Sequence, residues 1–563
     1  MIKVASYIFL ILFLQSEVLM LHSQEIKPDS AEEKVIVITD RTLYITGEQI
    51  LFSALIQCPD GMDASLQSSI MYCELITPDG NKVSGNKYSV RDKLSSGFLE
   101  IPDDIITGNY YLRAYTRYMR NYGPEFYHYT RIRIINPLRK EVQPVTASNF
   151  SSQNFSLGVS PFRTLDSYVI SADKSIYEPD DTVHLLIDRT DSDLSSFIGF
   201  SLSVVPEFSV SESQDIQPLN EHFENSGLYY PETHNLSITG KLFDNTTGNP
   251  LPLTRINLSI LGRGQDFMAR QTDSSGRFLF SLPNYTGNRD LFICSENVTN
   301  SNPKILVDND FCSIPVHIPT NNFTLTEKER ETALKMAVNV QLESYFKTKQ
   351  VPDMVIDKSE NQAFYGKPNE ILDLDKYVQL PSLEEYFNEL QTSVKVRKHQ
   401  GEKYFRILGD QEGLTVFNPL VMVDLVAIDN PQLVLTIPPA EVSRIEIVNR
   451  LYLKGEQTYG GIINIISKKG DFAGINLPGS GIFINYKFLS DTTCCVETYN
   501  RSPNEPDTRN TLFWSPQLSL NTNHRAKETF IVSRTPGSYL IILNAINIKG
   551  EVFRKTSRFE VIK

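Results

Sequence analysis

Catalytic signatures are what this 563-residue chain has least of. Its eight histidines are scattered, with no HExxH and no tight pair, so the three or four closely spaced ligands of a zinc site are missing. No GxGxxG follows a strand and no GxxxxGK[ST] occurs, which removes the usual nucleotide loops. GxSxG is absent, and no serine, histidine and acid assemble from their order. Six cysteines include no CxxC, so a thioredoxin-like site has no basis. Past the N-terminus no stretch offers 18 uninterrupted apolar residues. A net charge of -13 argues against a general nucleic-acid binder, which needs a basic face for the phosphates. The expectation is therefore a protein that is not an enzyme, with no catalytic, cofactor-binding or metal-binding residues and no cofactor.

What is present is β structure. Thirty prolines, 29 glycines, 26 tyrosines and 31 phenylalanines favour many short strands and turns. The length exceeds one hydrophobic core and suggests several domains. Lys3, the apolar run Val4–Leu14 and a mixed segment ending at Ser23-Gln24 read as a Sec signal peptide over 1–23, so the mature chain is expected to be exported. Export permits disulfides; Cys58 and Cys73 flank a loop between two strand-like runs and form the favoured pair, with Cys294 and Cys312 as a second. Cys494 and Cys495 are adjacent, which disfavours a bridge between them.

Along the chain, VIVITD, QILFSALIQ, SIMYCELI, YYLRAYTRYM and YTRIRIINP alternate with turns over 33–137, the pattern of an antiparallel sandwich. The order of residues in Asp40–Glu48 recurs 133 residues later in Asp173–Asp181, which places a second sandwich at 157–228. A third spans 235–320, where TDSSG turns into the alternating strand RFLFSL. Thr326 and Glu329 form a capping box for a linking helix at 326–347, and Ser382 with Glu385 forms another further on. Between 350 and 475 the runs Leu420–Ile428, Ile445–Val448 and Gly461–Ile466 read as strands, with one helical turn over Pro438–Arg444. A final small sandwich is expected at 479–563, with Trp514 as a core anchor.

Three of these regions carry resemblances. Asp40–Glu48 together with Gly97-Phe98 and Gly108–Tyr115 resembles a macroglobulin-type domain of the alpha-2-macroglobulin family, and the 173–181 copy extends that likeness to the second sandwich. Ile238–Asp244, Gly248–Pro252 and Thr272–Phe280 are similar to the carboxypeptidase regulatory-like, transthyretin-type domain. The sequence VMVD, then IPPAEVSRIEIV, then YGGIINIISKKG resembles the plug domain of TonB-dependent outer-membrane receptors of Bacteroidota. Asp424, Pro438, Ile445, Glu446, Tyr459, Gly460, Gly461, Ile462, Asn464, Ile465 and Lys468–Gly470 stand where that motif places them. Leu425 departs from it, standing where the family has glycine.

The fold expected is mainly β: tandem immunoglobulin-like or macroglobulin-like β-sandwiches with one small α/β plug-like domain. Lys454-Gly455-Glu456-Gln457 echoes the macroglobulin thioester, but lysine occupies the cysteine position, so covalent trapping by that route is excluded. The resemblance implies a protein of the cell envelope, in the periplasm or at the outer membrane, possible at the cell surface and as a peripheral membrane associate. A 22-stranded barrel takes about 200 residues or more, and the 93 residues after Gly470 are expected to contain none. Two functions follow. One is a non-enzymatic interaction protein with a protein partner in the envelope. The other is an accessory subunit whose plug-like domain docks with a separate outer-membrane barrel.

Overall fold

The computed structural model describes residues 33–58, 66–144, 162–190, 197–211, 218, 229–262, 265–346, 363–409, 411, 413–490 and 506–562. The expected signal peptide at 1–23 and the Cys494-Cys495 pair lie outside them. The described chain is mostly β, in three sandwiches and one α/β module.

In the first sandwich a three-stranded sheet, Lys34–Thr39, Gln49–Gln57 and Leu94–Glu100, faces a five-stranded one. The larger sheet runs Leu43–Ile45, His128–Ile135, Gly108–Tyr115, Ile70–Ile76, Lys82–Ser89. Its core is unusually aromatic: Tyr44, Tyr72, Tyr88, Tyr111, Tyr115, Tyr127 and Phe52 are all fully buried. Tyr72, Tyr115 and Tyr127 stack in a row. The Tyr115 hydroxyl donates to Glu74 at 2.9 Å, and Arg113 pairs with the same carboxylate at 2.6 Å. Burying phenols and an ion pair is tolerable because each finds a partner.

The second sandwich corrects the expected domain order. Tyr168–Ala172 and Thr182–Arg189 form one sheet with Ala526–Ile531, which zips onto Thr182–Arg189 from Thr182↔Ile531 to Ile187↔Ala526. Phe197–Pro206 pairs with Gly537–Asn547, which pairs with Val552–Val561, and the short strands Ile176–Tyr177 and Phe513–Ser515 lie at the two edges of that second sheet. The described strands of the segments expected as separate sandwiches at 157–228 and 479–563, Ile482–Lys487 excepted, are two halves of one. The physical reason is strand supply: of the first segment's two long strands, Thr182–Arg189 lies in one sheet and Phe197–Pro206 in the other, so each sheet is completed by strands from beyond residue 512.

The third sandwich repeats the lesson. Its sheets are Arg277–Ser281, Ser237–Asp244, Pro303–Val307 and Phe267–Gln271, Arg255–Leu261, Asn288–Ser295. To the second is added Ile482–Lys487, antiparallel to Asn288–Ser295 and contributed from beyond the plug-like region. The chain is thus nested. The plug-like module interrupts the third sandwich, and both lie between the two halves of the second.

The Asp40 and Asp173 motifs fold alike down to single atoms. Tyr44 Oη donates to Asp40 Oδ1 at 2.7 Å, and Tyr177 Oη to Asp173 Oδ1 at 2.8 Å. The same oxygens accept from the backbone N–H of Leu51 and His184. Arg41 pairs with Glu48 at 2.8 Å, and Lys174 with Asp181 at 3.1 Å. Their environments differ. The first copy is buried where Thr511 donates to Asp40 and Asn510 to Glu48, while the Lys174–Asp181 pair faces solvent.

The helix Glu327–Phe346 starts on its capping box: Glu329 N–H donates to Thr326 Oγ1, and Glu329 Oε2 accepts from Thr326 N–H at 2.7 Å. Ala333, Met336 and Ala337 seat it on Leu43 and Ile45 of the first sandwich. No helix among the described residues is long and apolar enough to cross a membrane.

The expected cysteine bridges are not formed. Cys58, Cys73, Cys294 and Cys312 are buried free thiols. Cys73 sits inside Ile70–Ile76, its neighbours across the sheet being Asn86 and Ala114, whereas Cys58 follows a strand of the opposite sheet. Burial pushes the Cys58 thiol up to about 11 and Cys294 up to about 12, which keeps both protonated and unreactive.

Candidate interaction site at the plug-like module

The module's sheet runs Glu370–Asp373, Val442–Val448, Ile462–Ser467, Leu420–Val423, Val426–Ala427. The run expected as one strand over Leu420–Ile428 is instead two strands around the tight turn Asp424-Leu425, both residues at positive φ (46° and 71°). Two-residue hairpins of this kind favour glycine at the second position, which is where Leu425 replaces it. Leu425 is 6% exposed and packs with Phe267 and Ala269 of the third sandwich. Its carbonyl accepts from Ser259 Oγ at 2.8 Å. The residue at which the sequence departs from the resemblance is therefore a contact between module and sandwich.

The polar residues that carried the resemblance hold the module together. Asp424 accepts from Ser467 N–H (2.8 Å), Ser467 Oγ (2.6 Å) and Phe472 N–H (2.9 Å). Arg444 donates to Glu446, which accepts from Tyr365 Oη, which accepts from Asn464 Nδ2. Gly460 has no room for a side chain, since a Cβ there meets the Phe417 carbonyl oxygen at 2.1 Å. Lys468 and Lys469 reach Asp375 and Glu441. The thioester-like stretch is a hairpin turn: Gly455 and Glu456 join Tyr452–Lys454 to Gln457–Tyr459, with Lys454 on Asp266 (2.8 Å) and Glu456 on Arg270 (2.6 Å).

These contacts stitch module to sandwich and leave a polar cleft of about 1090 Å³ beside the seam. Arg255 and Glu296 wall it from the sandwich, Asp429 and Tyr459 from the module, and His399 and Tyr404 from the hairpin Val394–His399/Glu402–Ile407. Arg255 bridges Asp429 and, at 3.5 Å, Glu296. Burial raises the Asp429 carboxyl, with Arg255 holding the rise back; burial pushes the Tyr459 phenol up to about 12. The hairpin is basic, with Arg397, Lys398 and His399 exposed, and among the described residues each of its strands pairs only with the other. Sequence reading missed this site because its sandwich wall lies more than 100 residues before the hairpin and module walls; only the basic spacing of VKVRKH signalled the hairpin. Among the described residues no group of three or more His, Cys, Asp or Glu is placed to hold a metal ion.

No family model matches the chain, and no curated protein matches it. Among solved structures it is similar to Salmonella alpha-2-macroglobulin reacted with methylamine, at TM-score 0.23 and 10% identity over 94% of this chain and 39% of that one. It is also similar to Escherichia coli alpha-2-macroglobulin in its native conformation, at TM-score 0.23 and 10% identity over 95% and 40%. The Escherichia coli adhesin FdeC gives TM-score 0.14 and 10% identity over 49% and 65%. The chain spans about two fifths of the length of those macroglobulins, and similarity this low assigns neither family nor activity.

Proposed function

We propose that the protein is a non-enzymatic, exported, multidomain component of the bacterial cell envelope that acts by binding another protein at the outer membrane. The observation that carries this is the polar cleft between the plug-like module and the third sandwich, with a basic two-stranded hairpin along one wall. Open strand edges accept partner strands through backbone hydrogen bonds, and side-chain pockets beside them give selectivity. The nested sandwiches hold the cleft on rigid elements. Macroglobulin-like and transthyretin-like characters of the sandwiches, and a Bacteroidota origin, belong to this reading as what the sequence motifs imply.

The alternative, an accessory subunit whose plug-like module docks into a separate barrel, is less well supported. One face of that module already packs on the third sandwich through Leu425, Met422, Tyr459 and Phe267, so a lumen enclosing it must displace or admit the sandwich. Crosslinking in the native envelope, followed by identification of the captured proteins, tests both. Crosslinks from the 394–407 hairpin to a protein other than a barrel support the proposal. Crosslinks chiefly from the module to a barrel support the alternative, and the absence of any protein partner refutes both.

A further inference from the structure

The first and second sandwiches touch through a small apolar patch, Ile38 and Leu55 against Ile546. Beside it lies a cavity of about 300 Å³, bounded by Ile36–Thr42 and Thr130 on one side and by Phe162, Arg163, Glu551 and Arg554 on the other. Every carboxylate on its wall is engaged. Asp40 accepts from Tyr44, Thr511 and Arg41, and Glu551 accepts from Arg163 at 2.7 Å and Asn547 at 2.8 Å. Arg41 and Arg163 thereby have acidic partners.

Arg554 does not. Its Nε donates to the neutral Asn544 Oδ1 at 2.8 Å, and the Phe162 ring covers it with its centroid 3.5 Å from the guanidinium carbon. No carboxylate among the described residues pairs with it. Burial alone pushes its pKa down to about 10, with no nearby charge restoring it, so it remains a cation at neutral pH. Arg554 is half-buried, and a guanidinium partly withdrawn from water without a counter-charge is costly. With Nε committed, the two terminal nitrogens remain, and their parallel N–H groups match the two oxygens of a carboxylate or phosphate.

The geometry points to a binding site for a small oxyanion, carboxylate or phosphate, seated between the first and second sandwiches with Arg554 as its charge partner. Cavity size restricts the ligand to a free anion or to one acidic group carried on a peptide. An occupant contacts both walls, so binding ties the two sandwiches together and stabilises their junction. The site is independent of the cleft beside the plug-like module.

The test uses the full chain and its Arg554→Gln variant in thermal unfolding against phosphate, acetate and a capped glutamyl peptide, with chloride at equal ionic strength as reference. The expected result is a saturable upward shift of wild type by at least one probe, with affinity at least about tenfold weaker in the variant, the loss expected for a charge-assisted pair. Response to phosphate or acetate identifies a free anion as sufficient; response to the peptide alone identifies a carried carboxylate. No response above chloride, or an equal response from Arg554→Gln, overturns the proposal. Should the variant fail to fold, phenylglyoxal footprinting of wild type decides. The effective probe should shield Arg554 from modification, and unchanged labelling of Arg554 overturns the site.

Discussion

Leu425 offers a measurement in which two physical effects pull in opposite directions. Its backbone sits at φ 71°, a left-handed conformation that costs a residue with a Cβ about 1–2 kcal/mol. Its side chain is 6% exposed, wedged among Phe267, Ala269 and Tyr459. Truncating a leucine so buried costs about 2–5 kcal/mol, so packing outweighs strain and the leucine is net stabilising. Leu425→Ala keeps the strained backbone and loses the packing, so it takes the full loss. Leu425→Gly loses the same packing but relieves the strain, and should recover roughly 1 kcal/mol relative to alanine. At an ordinary strand or helix position the order is reversed, with glycine the worse by about 0.5–1 kcal/mol. A local change in one of several domains is diluted in a whole-chain melting temperature. Native-state hydrogen exchange read by mass spectrometry isolates it, through the amides of 420–427 and of Arg255–Leu261. Glycine equal to or worse than alanine refutes the strain argument. Both variants matching wild type refutes the packing argument.

Three further outcomes are expected. Truncation before Ala526 should make Thr182–Arg189 and Phe197–Pro206 susceptible to limited proteolysis while sparing the first sandwich, because their sheet partners are removed; protection unchanged from the full chain contradicts the nested topology. Asp40→Asn, which breaks a buried network, should cost about 3–5 kcal/mol, and Asp173→Asn in the exposed copy clearly less, as read by exchange within each sandwich; equal losses contradict the assignment of their environments. Burial alone raises the Glu329 carboxyl, but hydrogen bonds from Arg133 and Thr326 outweigh it and hold it below its usual value. Its contribution is therefore complete above the unfolded-state pKa of about 4.3 and is lost as pH falls through the lower folded-state value. Protection of the first turn of Glu327–Phe346, taken relative to the intrinsic exchange rate at each pH, should fall on acidification in wild type and lose that pH dependence in Glu329→Gln.

Much of the local structure was legible because it rests on local physics. The capping box at Thr326, the turn at Asp273 and the alternating strands all depend on residues within a few positions of one another. The Asp40 and Asp173 motifs are the strongest case, since a spacing of 133 residues in the sequence returns as matching hydrogen bonds. Two local readings failed instructively. Leu420–Ile428 looks like one strand by apolar content, yet Asp424 and Leu425 turn back, because the turn is fixed by Ser467, Asn464 and Ser259 from elsewhere. Cys58 and Cys73 are close in sequence, yet the chain carries them into opposite sheets.

The sequence by itself determined the strand-rich class, the repeated motif and the helix start, since each is encoded in nearby side chains. Only tertiary structure decided which strands share a sheet. Edge strands carry unsatisfied backbone groups that any compatible strand can satisfy, near or far in the chain. So Ala526–Ile531 completes a sheet begun at Tyr168, and Ile482–Lys487 completes one begun at Arg255. The cleft and the Arg554 cavity exist only where such distant segments meet, which is why neither could be read from the sequence.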